Sequence, residues 1–207
     1  MNSMTRRIRC ALLVVAMVLA GSLGSTGQAV GLSDPAKAYF AGGCFWCMEE
    51  VFEKVPGVTA VTSGYMGGRG ENPSYEQVSA GGTGHAESIE VVYDQAQVSY
   101  AALLETFWRN VDPVTPNAQF CDHGSQYRAV IFYQTEEQKR LAEESKRKIE
   151  QSGRIHGPIV TELTLASPFY PAEDSHQDYY KKNPVRYKFY KYSCGRAQRL
   201  EDLWGTP

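Results

Sequence analysis

The chain has 207 residues, 43% of them apolar and 21% charged, with a formal net charge of −2. That composition excludes a disordered chain, and no basic face or stripe is present for nucleic acid to bind. The length suits one domain with a full core.

Residues 1–29 have the layout of a secretory signal. Arg6, Arg7 and Arg9 precede an apolar core running from Cys10 to Ala20, and small residues follow as far as Gly27-Gln28-Ala29. The apolar stretch is short and interrupted for a membrane span. The expectation is therefore a signal peptide over residues 1–29 and a single exported domain over 30–207, periplasmic or secreted, with no stable membrane insertion. An uncleaved anchor is the alternative. Processing removes three arginines and no acid, so the remainder is mildly acidic.

Next comes an apolar run, residues 38–41, broken by Gly42-Gly43. Trp46, Val51 and Phe52 then return at helical spacing. This pattern predicts a strand, a tight turn and a helix start. Cys44 sits where unpaired backbone N–H groups and the helix dipole favour a thiolate. Cys47 lies one turn further on the same face, close enough to pair with it. Phe45 and Trp46 are placed to wall a small apolar pocket.

The helix is expected to stop before Pro56-Gly57, with a strand over 58–65. Residues 66–84 are loop-like, and no Gly-Lys-Ser/Thr follows their glycines, so no phosphate loop forms. Residues 85–94 alternate as a strand. Glu87 shares a face with Ile89 and Val91. If that face meets the core, Glu87 is desolvated and suits a general acid; if it meets the rim, Glu87 is an ordinary solvated carboxylate. Ser99 caps a helix bearing Leu103, Leu104, Phe107 and Trp108. A loop over 112–126 precedes a strand over 128–133. Thr135 with Gln138 reads as a capping box for a helix closed by Gly153. A strand over 158–165, a short helix over 173–182 and a polar, aromatic tail complete the chain. The order predicts an α+β fold: a two-layer, ferredoxin-like α/β sandwich. Its sheet is mixed or antiparallel, with long loops and an irregular C-terminal tail.

Chemistry concentrates in four places: the Cys44–Cys47 turn, Glu87, the run Phe120-Cys121-Asp122-His123-Gly124-Ser125-Gln126-Tyr127, and Cys194 on the tail. His85, His123 and His176 share no ligand spacing, and a single C-x-x-C is no zinc site, so no metal and no cofactor is expected. Two other classes remain open on these residues alone. One is a thioredoxin-like disulfide oxidoreductase. The other is an exported module that only binds, using its aromatic pocket.

Four stretches together resemble the A-type peptide-methionine sulfoxide reductases. They are Gly43-Cys44-Phe45-Trp46, Tyr65-Met66-Gly67-Gly68, Thr83-Gly84-His85-Ala86-Glu87 and Asp122-His123-Gly124-Ser125-Gln126-Tyr127-Arg128. The resemblance covers residues 37–205. It implies reduction of the S epimer of methionine sulfoxide, free or in proteins. It implies Cys44 as the attacking thiolate and Glu87 as the acid. Tyr75 and Tyr127 are then the hydroxyls on the sulfoxide oxygen, Asp122 a polar partner, and Phe45 and Trp46 the cage for the S-methyl group. A sulfenic acid follows, then an intramolecular disulfide that a thioredoxin-like reductant recycles. The tail resembles members whose resolving cysteine lies there. Cys194 is therefore expected to swing in and pair with Cys44, with Cys47 as a second relay or alternative. Cys121 is given no role, and a monomer is expected.

Overall fold

The computed structural model describes residues 35–205. The segment read as a signal lies outside the described residues. In chain order the first elements are β1 (Ala36–Gly42), α1 (Phe45–Phe52), β2 (Val58–Met66), α2 (Tyr75–Ser79), β3 (Ala86–Tyr93) and α3 (Tyr100–Trp108). A small hairpin follows, β4 (Ala118–Gln119) and β5 (Asp122–His123), then a single 3₁₀ turn at Ser125–Tyr127. Next are β6 (Ala129–Tyr133), α4 (Glu136–Gln151), β7 (Glu162–Leu165) and β8 (Tyr170–Pro171). The C-terminal part holds α5 (Tyr179–Lys182), α6 (Pro184–Ser193) and α7 (Arg196–Trp204).

Six strands form one sheet in the order β7-β6-β1-β3-β2-β8. β6 and β7 run parallel, and the other neighbours are antiparallel. The mixed, two-layer α+β architecture is the one the element order predicts. β1 lies centrally and is apolar on both faces. From one face Phe40, with Ile89, Val91 and Ile131, packs on Phe52, Leu103, Phe107 and Ala142 of the helices. Phe40 stacks on Phe52 and Phe107 at centroid distances of 5.1 and 5.3 Å. Tyr39 and Ala41 point the other way, toward Val130, Phe132 and Phe169. This alternation is the period of two that a strand imposes.

The Ser99 cap forms as the sequence predicts, whereas only the Thr135 half of the expected Thr135–Gln138 capping box closes. Ser99 Oγ accepts from Ala102 N at 3.2 Å, and Thr135 Oγ1 from Gln138 N at 3.1 Å. Gln138 Oε1 reaches back to Gln134 N at 2.8 Å, one residue before the cap. Inside the 66–84 loop the structure adds α2, set by a full capping box between Ser74 and Gln77. The strand expected over 158–165 shrinks to β7, because Val160 N instead bonds Pro113 O at 2.8 Å. Only α5 remains of the helix expected over 173–182, after a left-handed Asp178 with φ of 54°.

The larger difference is the tail, which is helical rather than irregular. Pro184 occupies the first turn of α6, where its missing N–H costs nothing. Tyr187 buries its ring against α1, and its hydroxyl donates to Glu50 Oε2 at 2.6 Å. Leu200, Leu203 and Trp204 of α7 pack on the core. Tyrosines and lysines hid this apolar face, because each carries a polar tip on an apolar body. No helix among the described residues is long and apolar enough to cross a membrane.

Candidate active site

β1 ends at a turn that only glycine fits. Gly43 has φ of +81°, and a Cβ there would lie 2.5 Å from Gln119 Cβ. Cys44 is thereby set as the N-cap of α1, its carbonyl accepting from Cys47 N at 3.1 Å. Cys44 and Cys47 are free thiols, 5% and 2% exposed, and their side chains hydrogen-bond one another. Burial pushes the Cys44 thiol well up, and contact with Cys47 adds to this, while its hydrogen bond with Tyr190 pulls it partly back. Cys47 is drawn down to about 6 by the Cys44 hydrogen bond, helped by Arg196, Tyr187 and Lys191 against burial.

Glu87 sits on β3 on the same side as Ile89 and Val91, and is 2% exposed. The rim alternative is therefore excluded. Its Oε2 accepts from Phe45 N at 3.0 Å. Burial raises its pKa to about 8, opposed by that hydrogen bond and assisted by the charges of Asp122 and Cys47. At neutral pH this carboxyl keeps its proton, held against the backbone of the residue that follows Cys44.

Cys44, Phe45 and Trp46 meet Tyr75, Glu87, Asp122 and Tyr127 around one cavity of about 130 Å³. That is room for about four waters, or one small polar head group. Burial pushes the Tyr75 hydroxyl up to about 12 and Tyr127 higher still, so each stays a hydrogen-bond donor. Asp122 is raised by burial and accepts from the Tyr190 hydroxyl. A larger groove of about 570 Å³ between α3 and α4 holds no cysteine and no buried acid. The chemistry lies in the smaller space.

Three residues were not placed in the site from the sequence: His176, weighed there only as a metal ligand, Tyr179 and Tyr190. Trp46 stacks on Tyr179 at 3.8 Å, and its Nε1 donates to His176 Nδ1 at 3.2 Å. His176 in turn stacks on Tyr75 at 4.2 Å. Their segment is fixed to α1 by Glu49, whose Oε1 accepts from Asp178 N at 3.0 Å. The available signal was the run of aromatics from His176 to Tyr190, which reads as tail until α6 is known to be a helix. His85 serves the turn instead, accepting from Gly68 N at 3.2 Å.

Cys194 departs from expectation. It is bonded to Cys121, with the Cα atoms 4.9 Å apart, and not to Cys44. The tail is no free arm. Cys194 caps α6, and Gly195, with φ of 68°, opens α7 directly. The β4–β5 hairpin carries Cys121 to the end of α6, while Cys47 keeps the place beside Cys44.

Thiols this deeply buried do not staple a core. Beside an acid that holds its proton, they are placed for redox work on a small, polarised group. By fold and site the protein is a thiol-dependent α/β oxidoreductase. Residues 36–207 match the family described as peptide methionine sulfoxide reductase. The chain belongs to this family, and its reaction is the reduction of methionine sulfoxide. Among its relatives, the peptide methionine sulfoxide reductase MsrA of Bacillus licheniformis is 48% identical over 168 residues, 81% of this chain and 93% of the relative. The MsrA of Ligilactobacillus salivarius is 51% identical over 167 residues, 81% of this chain and 96% of the relative. A solved methionine sulfoxide reductase A of Corynebacterium diphtheriae superposes with a TM-score of 0.66 at 34% identity, covering 75% of this chain and 78% of its own. Reduced Mxr1 from Saccharomyces cerevisiae gives 0.68 at 29% identity, with 73% and 87% covered.

Proposed function

We propose that the site reduces the S epimer of methionine sulfoxide, free or in proteins, with Cys44 as nucleophile and Glu87 as acid. The convergence of these two groups with Tyr75 and Tyr127 on one small cavity carries the reading. The methyl group packs on Phe45 and Trp46, leaving the oxygen toward the hydroxyls and Glu87. Cys44 sulfur attacks the sulfoxide sulfur. Glu87 protonates the oxygen, which is a poor leaving group until then, and the tyrosines stabilise the charge developing on it. The S–O bond breaks, methionine leaves, and the oxygen ends on Cys44 as a sulfenic acid. Cys47, already in hydrogen-bond contact, displaces it as water and forms the disulfide. Cys47 thus takes the resolving role expected of Cys194. A dithiol protein of thioredoxin type then returns two electrons, and the enzyme acts as a monomer. Separate sulfoxide epimers test the stereochemistry. The S epimer is consumed and the R epimer left; equal consumption overturns the assignment.

The layout of residues 1–29 supports work outside the cytoplasm, with the mature chain starting near Val30. N-terminal sequencing of the protein from fractionated cells checks this. A soluble cytoplasmic form that keeps Met1 through Ala29 sinks it.

A further inference from the structure

Phe45 and Trp46 line the same cavity, but they are confined differently. Phe45 is buried, whereas Trp46 is only half-buried and its indole needs other supports. Tyr179 stacks on it with the planes 9° apart, and Tyr190 meets it edge-on at 6.0 Å. A stacked face resists tilting, but it leaves a ring free to turn or slide in its own plane. An indole N–H lies in that plane. The bond from Trp46 Nε1 to His176 Nδ1, 3.2 Å long, therefore acts in the direction that stacking leaves free.

His176 is itself held from three sides. Its N donates to Glu173 O at 2.8 Å, and Glu173 Oε1 accepts from Tyr75 N at 2.8 Å, which ties the segment to α2. Gln177 clamps Ser63 of β2: its Oε1 accepts from Ser63 N at 2.9 Å and its Nε2 donates to Ser63 O at 2.8 Å. The bond from Asp178 N to Glu49 ties the segment to α1. Burial lowers the pKa of His176, against the charges of Glu173 and Glu76, so the ring is uncharged at neutral pH. Its proton then sits on Nε2, and Nδ1 is free to accept. His176 is not among the residues that line the cavity. Any effect it has on substrate passes through a neighbour.

We propose that His176 is a positioning residue for substrate binding, its Nδ1 holding the Trp46 indole in the orientation that receives the S-methyl group. The inference rests on the reading of Phe45 and Trp46 as the methyl cage. Such a wall touches a group that the reaction leaves unchanged, so it stabilises bound substrate and transition state alike. Losing its orientation weakens binding and leaves the rate of the bound state alone.

The test separates the hydrogen bond from the ring. His176→Phe keeps an aromatic ring against Tyr75 but offers Trp46 no acceptor. His176→Asn gives up the ring and sets its Oδ1 where Nδ1 stands. Single-turnover methionine release by reduced enzyme is measured over a range of methionine S-sulfoxide concentrations. His176→Phe is expected to raise the half-saturating concentration ~10-fold with the saturating rate unchanged. His176→Asn is expected to stay near wild type. In a Trp46→Leu background His176→Phe is expected to add nothing, because its effect passes through the indole. Wild-type affinity in His176→Phe, equal losses in the Phe and Asn variants, a fall in the saturating rate, or the same loss on top of Trp46→Leu overturns the proposal. Failure of the cage reading has a different signature: Trp46→Leu alone then binds substrate as the wild type does.

Discussion

Cys44→Ser releases no methionine, even when a small dithiol is in excess. A hydroxyl is a far weaker nucleophile than a thiolate, and nothing at the α1 N-terminus lowers its pKa into reach. Cys47 does not substitute. The cavity is lined by Cys44 and not by Cys47, so no second sulfur faces the substrate. The change is nearly isosteric, and folding should be unaffected. Single-turnover assay of methionine, beside a far-ultraviolet spectrum for the fold, reads the result. Release at the wild-type rate would remove Cys44 from the reaction.

Glu87→Gln slows the first chemical step by ~100–10,000-fold, the usual reach of general acid catalysis. The amide oxygen still accepts from Phe45 N, so the cavity keeps its shape and substrate affinity changes little. What is lost is the proton. The pH dependence has a definite sign. Burial holds Glu87 protonated below about 8, so the wild-type step is fast there and falls as pH rises through that value. The variant lacks this alkaline limb. Rapid-quench measurement of methionine over a pH series checks the rate and the limb. A near-normal rate for the variant would take Glu87 out of the acid role.

Where local rules decide, the sequence was legible. The Gly42-Gly43 break, the α1 start and the Ser99 and Thr135 caps depend on neighbours three or four residues away, and each forms as expected. Glu87 was half legible. Alternation put it on the face of Ile89 and Val91, but only the packed helices tell whether that face is dry. The tail was not legible, because α6 becomes amphipathic only when Tyr187 finds Glu50 and Tyr190 finds Asp122. The cysteine pairing was hidden for the same reason. Cys121 and Cys194 are 73 residues apart, and no local pattern brings the β4–β5 hairpin to the end of α6. His176 and Tyr179 join the site through Trp46, a contact spanning most of the chain.

The central claim is that Glu87 carries a proton to the sulfoxide oxygen, and this proton is directly observable. Infrared difference spectra of wild type against Glu87→Gln, recorded across a pH series, isolate the carboxyl of this one residue. The expected result is a neutral-carboxyl carbonyl band present at neutral pH and lost with a midpoint near 8. A carboxylate band at neutral pH, with a midpoint in the ordinary glutamate range of about 4, would contradict it.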